Sequence, residues 1–201
     1  MTARQRRAQL LDVGRSLFAE RGYEATSIEE IAKQAKITKP VVYEHFGGKE
    51  GLYAVIVDRE VEGLLSRISG ALVAEHPRMK LWQAAFAFLT YIEEEPQGFR
   101  ILVRDSPVAS SSGTLASVIG DIASQVEHIL GEEFGRRGYE RRFAEMYSQA
   151  LVGMVALVGQ WWLDAGEPKK EIVASHLVNL AWNGLSDLEP TPAPPDQSPD
   201  V

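Results

Sequence analysis

The sequence predicts an all-α protein of about nine helices, a three-helix helix-turn-helix head followed by a larger helical bundle. Three observations carry this reading. Apolar residues recur at three- and four-residue spacing along nearly the whole chain, the period of helices that bury one face. No run of strand alternation bounded by hairpin turns interrupts them. Glycines and prolines cut the pattern into helix-length pieces.

The elements follow in order. A first helix is expected over 3–21, with Leu10, Gly14, Leu17 and Phe18 on one face and Gly22 where a left-handed C-terminal cap belongs. Ser27-Ile-Glu-Glu30 fits the S-x-x-E capping box, in which Glu30 reaches back to the Ser27 amide. It opens a short helix, 28–35, with Ile28, Ile31, Ala32 and Ala35 at helical spacing. Lys36-Ile37 makes a tight connection. Thr38 is the expected N-cap of the third helix, and Pro40 lies in its first turn, where a missing N–H costs little. That helix runs to Phe46 and is ended by Gly47-Gly48. Lys49 begins a longer fourth helix with Leu52, Val55, Ile56, Leu64, Leu65, Ile68 and Leu72 as apolar positions and Pro77 at its end. Five more helices are expected over 79–94, 96–105, 112–137, 139–164 and 170–186. From Glu189 the chain turns Pro-rich and aromatic-free, a composition that buries too little surface to order itself.

Composition removes several classes of chemistry. At 45% hydrophobic and 24% charged, 201 residues can build a globular core. There is no cysteine, so disulfides, thiolate metal sites and cysteine nucleophiles are excluded. His45, His76, His128 and His176 are scattered, with no metal-ligand spacing among them. No nucleophile motif or phosphate loop stands out, so no catalytic residues, metal or cofactor are expected, and the chain is not read as an enzyme. The longest apolar stretch, 150–163, is shorter than the roughly 20 residues a membrane span needs. The start, Met1-Thr-Ala-Arg4, is followed by no apolar signal region, so the expected location is the cytoplasm.

Charge is informative only when divided. The net charge of −7 argues against a nucleic-acid partner, yet residues 1–50 hold nine Lys/Arg against seven Asp/Glu. Residues 51–201 hold twelve against twenty-one. The acidic excess therefore belongs to the larger part, and a weakly basic head with an Arg4, Arg6, Arg7 cluster precedes it.

Two short helices joined by a tight turn and braced by a third suit the DNA major groove, which admits one helix. Val42 and Phe46, one turn apart, are expected to seat the third helix against Ile31 and Ala35. Lys39, Pro40, Val41, Tyr43 and His45 are left for DNA. Lys39 suits guanine or phosphate, Pro40 and Val41 a thymine methyl, and Tyr43 and His45 phosphates. Thr26 and Ser27 lie at a helix N-terminus that favours phosphate, Thr38 lies at the next one, and Lys49 opens the fourth helix within reach of the backbone.

The ordered string resembles the tetracycline-repressor (TetR-type) family. It is carried by Phe18-Ala, Gly22-Tyr, Thr26-Ser27, Ile31-Ala32, Ala35, Thr38, Tyr43-x-His45-Phe46 and Lys49-Glu50-x-Leu52, across about residues 3–57. Lys36 departs from the glycine usual in that turn. The resemblance implies a DNA-binding domain over 1–48, a ligand-binding and dimerisation domain over 49–188, and leaves 189–201 as a disordered tail. It implies a homodimer on the last two long helices, a near-palindromic double-stranded operator, and a small-molecule effector whose binding releases DNA from a repressor. The helix at 139–164 supports the dimer independently, since its apolar residues cover more than one face. Expected interface residues are Met154, Leu157, Val158, Trp161, Trp162, Leu177, Leu180 and Ala181. Trp82, Phe86, Phe88, Tyr91, Phe99, Leu102, Tyr147 and Leu151 are candidates for a largely apolar ligand pocket, although aromatics at helical spacing also serve as ordinary core. The competing reading is a helical ligand-binding or adaptor protein without DNA activity.

Overall fold

The computed structural model describes residues 1–72, 76–104, 115–189 and 192. Among them the chain is all-helical: α1 (Ala3–Arg21), α2 (Ile28–Gln34), α3 (Lys39–Phe46), α4 (Lys49–Ala71), α5 (Pro77–Glu94), α6 (Pro96–Val103), α7 (Leu115–Arg137), a single 3-10 turn at Arg141–Phe143, α8 (Ala144–Ala165) and α9 (Lys170–Ser186). The expected start of the seventh helix at 112 and nearly all of the tail after Glu189 lie outside the described residues. No described helix is long and apolar enough to cross a membrane.

Local chemistry accounts for the helix ends. Thr2 and Gln5 form a capping box at α1, and Ser27 and Glu30 form the expected one at α2. Each satisfies two amides that a helix N-terminus leaves without partners. Gly22 ends α1 at φ 81°, ψ 172°. This is not the left-handed helical cap expected but a region open essentially to glycine alone. Lys36 does adopt the left-handed conformation, at φ 55°. Its amide donates to the Lys33 carbonyl at 3.1 Å and the next amide, of Ile37, to Ala32 at 2.9 Å, so this lysine does what glycine usually does at a helix end.

Pro77, expected to stop the fourth helix, instead starts α5. Proline is preorganised for a first helical position, and the His76 ring nitrogen accepts the Arg78 amide at 3.3 Å. The helix expected from 139 begins only at Ala144. Tyr139 folds back, its ring against Phe134 and its hydroxyl donating to the Leu188 carbonyl at 2.8 Å.

Packing divides the molecule around α4. Its first half contacts α1 and α3, and the helix also packs on α5, α6 and α7. In the head Leu10, Phe18, Ile31, Val42 and Leu52 are buried. In the bundle α7 pairs with α8 while α9 lies along α5, around Phe88, Leu89, Phe99 and Val118. Each such side chain contributes about 1.5–3 kcal/mol by leaving water.

Candidate functional site

The α2–α3 unit is seated from below and open above. Ile31, Ala35 and Val42 are fully buried, and the Gln9 amide donates to the Ala35 carbonyl at 3.1 Å, fixing the end of α2 to α1. Phe46 is only half-buried, and Arg7 covers its ring with the guanidinium carbon 4.7 Å from the centroid. Thr38 occupies the N-cap position of α3 but makes no side-chain capping bond. Its side chain is exposed with those of Lys39 and Pro40, and Tyr43 is 54% exposed. Val41 and His45 are half-buried at the edges of this surface.

Electrostatics tie α3 to α2 loosely. The Lys39 ammonium pairs with the Glu29 carboxylate, and that hydrogen bond holds the Glu29 carboxyl below its ordinary value. Both side chains are more than half exposed, so the pair is weak and exchangeable. Lys49 donates to the Tyr23 carbonyl at 2.9 Å, with its ammonium 4.1 Å from the Tyr23 ring centroid. Ser27 is half-buried and exchanges hydrogen bonds with Glu30. Thr26 must be withdrawn from the candidate DNA face. It is 1% exposed, and its hydroxyl donates inward to the Gly22 carbonyl at 2.8 Å, bracing the loop before α2.

The bundle encloses a cavity lined only by apolar side chains from α4, α5, α7, α8 and α9, among them Leu64, Phe88, Ile122, Met154 and Leu177. Of the eight pocket candidates only Phe88 and Leu151 line it. Trp82 and Phe86 stack on each other at 4.7 Å outside it, with the Trp82 N–H directed to Ser175 and Lys170 over Phe86. Phe99 and Leu102 are buried in α6, which packs on α1 and α4. Tyr147 sets its ring edge against Phe134 in the α7–α8 contact. Tyr91 turns to Glu60. Helical spacing marks these residues for burial, but which of them meets empty space depends on how distant helices cross.

The interface candidates also divide by face. Leu157, Trp161 and Leu180 are 67%, 56% and 65% exposed. Val158 is half-buried. Trp162, Leu177 and Ala181 point inward: Trp162 is buried with its N–H donating to the Pro168 carbonyl at 2.7 Å, and Leu177 and Ala181 line the cavity, as does half-buried Met154. A helix apolar on several sides serves two surfaces, and α8 spends its inner one on α7 and α5. A Cβ at Gly159 would stand 2.3 Å from the Phe88 ring.

One constellation was absent from the sequence reading. Arg15 of α1 donates to Glu60 of α4 at 2.6 and 3.2 Å and to Glu95 at 2.7 Å, and the Tyr91 hydroxyl donates to Glu60 at 2.7 Å. Burial lowers the Arg15 pKa, but Glu60 and Glu95 outweigh it and raise the guanidinium above its ordinary value. Burial, reinforced by Glu60, raises the Tyr91 phenol, so it stays a donor. Gly98 is required beneath, since a Cβ there would stand 1.9 Å from a Glu60 oxygen. The signal was available: Glu60 sits in the apolar i, i+4 column between Ile56 and Leu64.

Comparison with known proteins agrees with this architecture over both parts. The family described as "Bacterial regulatory proteins, tetR family" matches residues 10–56, and "Tetracyclin repressor-like, C-terminal domain" matches 77–184. The HTH-type transcriptional activator FasR of Mycolicibacterium smegmatis is 31% identical over 187 residues, which cover 92% of this chain and 84% of that protein. A TetR-like transcriptional regulator from Rhodococcus sp. RHA1 superposes with a TM-score of 0.75 at 27% identity, covering 90% of this chain and 96% of the other. A TetR-family transcriptional regulator from Bordetella parapertussis 12822 shares the fold at TM-score 0.72 and 21% identity, over 91% and 97%. With an open third helix on a buried seat and both parts matched, the chain belongs to the tetR family, as a DNA-binding transcriptional regulator rather than an enzyme.

Proposed function

We propose that the protein is a cytoplasmic, ligand-responsive repressor that binds a near-palindromic operator as a homodimer. The observation that carries the dimer is the apolar face of α8 and α9. Leu157, Trp161 and Leu180 are each more than half exposed, and a second copy of the same two helices would cover them as a four-helix contact. Two-fold symmetry of the protein then requires two-fold symmetry of its site.

In this reading Lys39, Pro40, Val41 and Tyr43 enter the major groove while Ser27, Thr38, His45 and Lys49 contact phosphates. Lys39 exchanges Glu29 for a base or phosphate, a trade that costs little because the present pair is solvent-exposed. Support for an effector comes from the apolar cavity, which touches α4, the helix shared by head and bundle.

The test is sedimentation and gel-shift on DNA upstream of the protein's own gene. Wild type should sediment as a dimer and shift that DNA in a salt-sensitive manner. Leu157→Glu with Leu180→Glu should raise the dimer dissociation constant at least about a hundredfold and lose tight binding with it. A wild-type monomer that binds as well would overturn the dimer. The sign is tested by deleting the gene: transcripts from the bound promoter should rise. A fall would make it an activator, the role that the Mycolicibacterium smegmatis relative is named for.

A further inference from the structure

Two cavities of the bundle share part of their walls. The inner one has no polar side chain in its lining. The outer one lies between α5, α7 and α9 and carries Lys80, Arg136 and Arg137 on its wall. Leu81, Val126 and Leu151 line both. The two therefore adjoin across these three side chains, apolar at the inner end and cationic at the outer. Glu133 is the carboxylate at that end, paired with Arg136 at 2.9 Å and Arg137 at 2.7 Å. Three cations against one carboxylate leave the outer wall positive.

From this we infer that the two cavities open into one channel at Leu81 and that the effector is a straight-chain anionic amphiphile, its chain threaded into the inner cavity and its charged head at Lys80, Arg136 and Arg137. Size selects the chain over a ring system. The inner cavity holds about 90 Å³ and the outer about 140 Å³. An apolar cavity of about 150 Å³ takes one benzene. Neither space alone admits a multi-ring ligand, whereas a flexible chain divides between both; on the same scale they fill at about nine carbons, beyond which added methylenes gain little. A wholly apolar lining also gives a polar ligand nothing to bond to, and burying such groups unpaired is costly. The head belongs at the outer end because only there do cations replace part of the water it loses. The inference rests on reading the bundle as an effector domain, and names the ligand that domain would take.

The probes are alkanoates of 8 to 16 carbons, hexadecyl phosphate and hexadecyltrimethylammonium. They are titrated below micelle formation against full-length protein carrying cis-parinarate, an 18-carbon polyene acid whose fluorescence rises in an apolar cavity. Each added CH2 should tighten binding about fourfold while the channel is still filling. Both anions should compete at least tenfold better than the cation; a stronger hexadecyl phosphate would assign the head to phosphate, a stronger hexadecanoate to carboxylate. Leu81→Trp, at the neck, should weaken hexadecanoate at least tenfold. Lys80→Gln should cut the preference for anions about threefold and leave the chain-length slope unchanged, so a poorly folded neck variant would not decide the matter. Binding independent of chain length, a preference for the cation, or tighter binding of a polycyclic aromatic probe would overturn the assignment. A parallel gel-shift separates the two readings. Chain-dependent binding with no change in DNA affinity would sink the ligand response and keep the ligand class; DNA release by a ring compound alone would do the reverse.

Discussion

The head and the bundle are made of the same kind of helix and use it in opposite ways. In the head Leu10, Ile31 and Val42 have no exposure at all, capping boxes close the starts of α1 and α2, and every apolar residue of α2 is buried. The bundle keeps two adjoining cavities and leaves Leu157, Trp161 and Leu180 in contact with solvent. A part that presents a fixed surface to a rigid duplex gains from dense packing. In the proposed reading the bundle accepts a ligand and a second copy, and such a part needs spare volume and spare apolar surface. Between them lies a polar joint, Arg15–Glu60–Tyr91, which reaches α1, α4 and α5 at once.

The joint is where the comparison breaks most severely. Glu60→Ala leaves Arg15 short of its main partner and Tyr91 without its acceptor, and urea denaturation should report a loss of about 3–4 kcal/mol. A loss under about 1 kcal/mol would mean that the two parts are held by apolar packing alone. The contrast in packing is sharpened by one substitution made on each side. Leu10→Ala, in the dense head, should cost about 3 kcal/mol, as filled sites do. Leu151→Ala, on a cavity wall that already lacks neighbours on one side, should cost about 1 kcal/mol, because fewer contacts are there to lose. Equal losses by the same denaturation measurement would deny that the bundle is the looser part. The smallest effect concerns the turn between α2 and α3. Lys36→Gly relieves a left-handed lysine and should stabilise the protein by about 0.5–1 kcal/mol, read as a higher midpoint of unfolding.

The head was legible in the sequence because its signals are local. Ser27 and Glu30 are three residues apart and meet, Pro40 sits in the first turn of α3, and Gly22 and Gly47 end helices at positive φ. Where the reading failed in the head, at Thr26, it took a helix-start position for an exposed one; the hydroxyl is used instead by the carbonyl of Gly22. The bundle's helices were legible, its site much less so. Six of eight pocket candidates are core, stacked or surface residues, since spacing reports that a residue is buried and not what it is buried against. Trp162 and Leu180 illustrate the same point on the outer face: both are apolar, and only the crossing of α8 and α9 over α5 decides which one meets water.

The central claim is that α3 presents a sequence-reading surface, and anisotropy titrations test it most directly. Wild type and Lys39→Ala would be titrated onto the promoter fragment and its single-base variants at 50–200 mM salt. Wild type should bind with sequence preference and weaken steeply as salt rises. Lys39→Ala should lose about 1–3 kcal/mol of discrimination at one base pair in each half-site and little elsewhere. A purified dimer with no sequence-preferring, salt-sensitive binding would contradict the account.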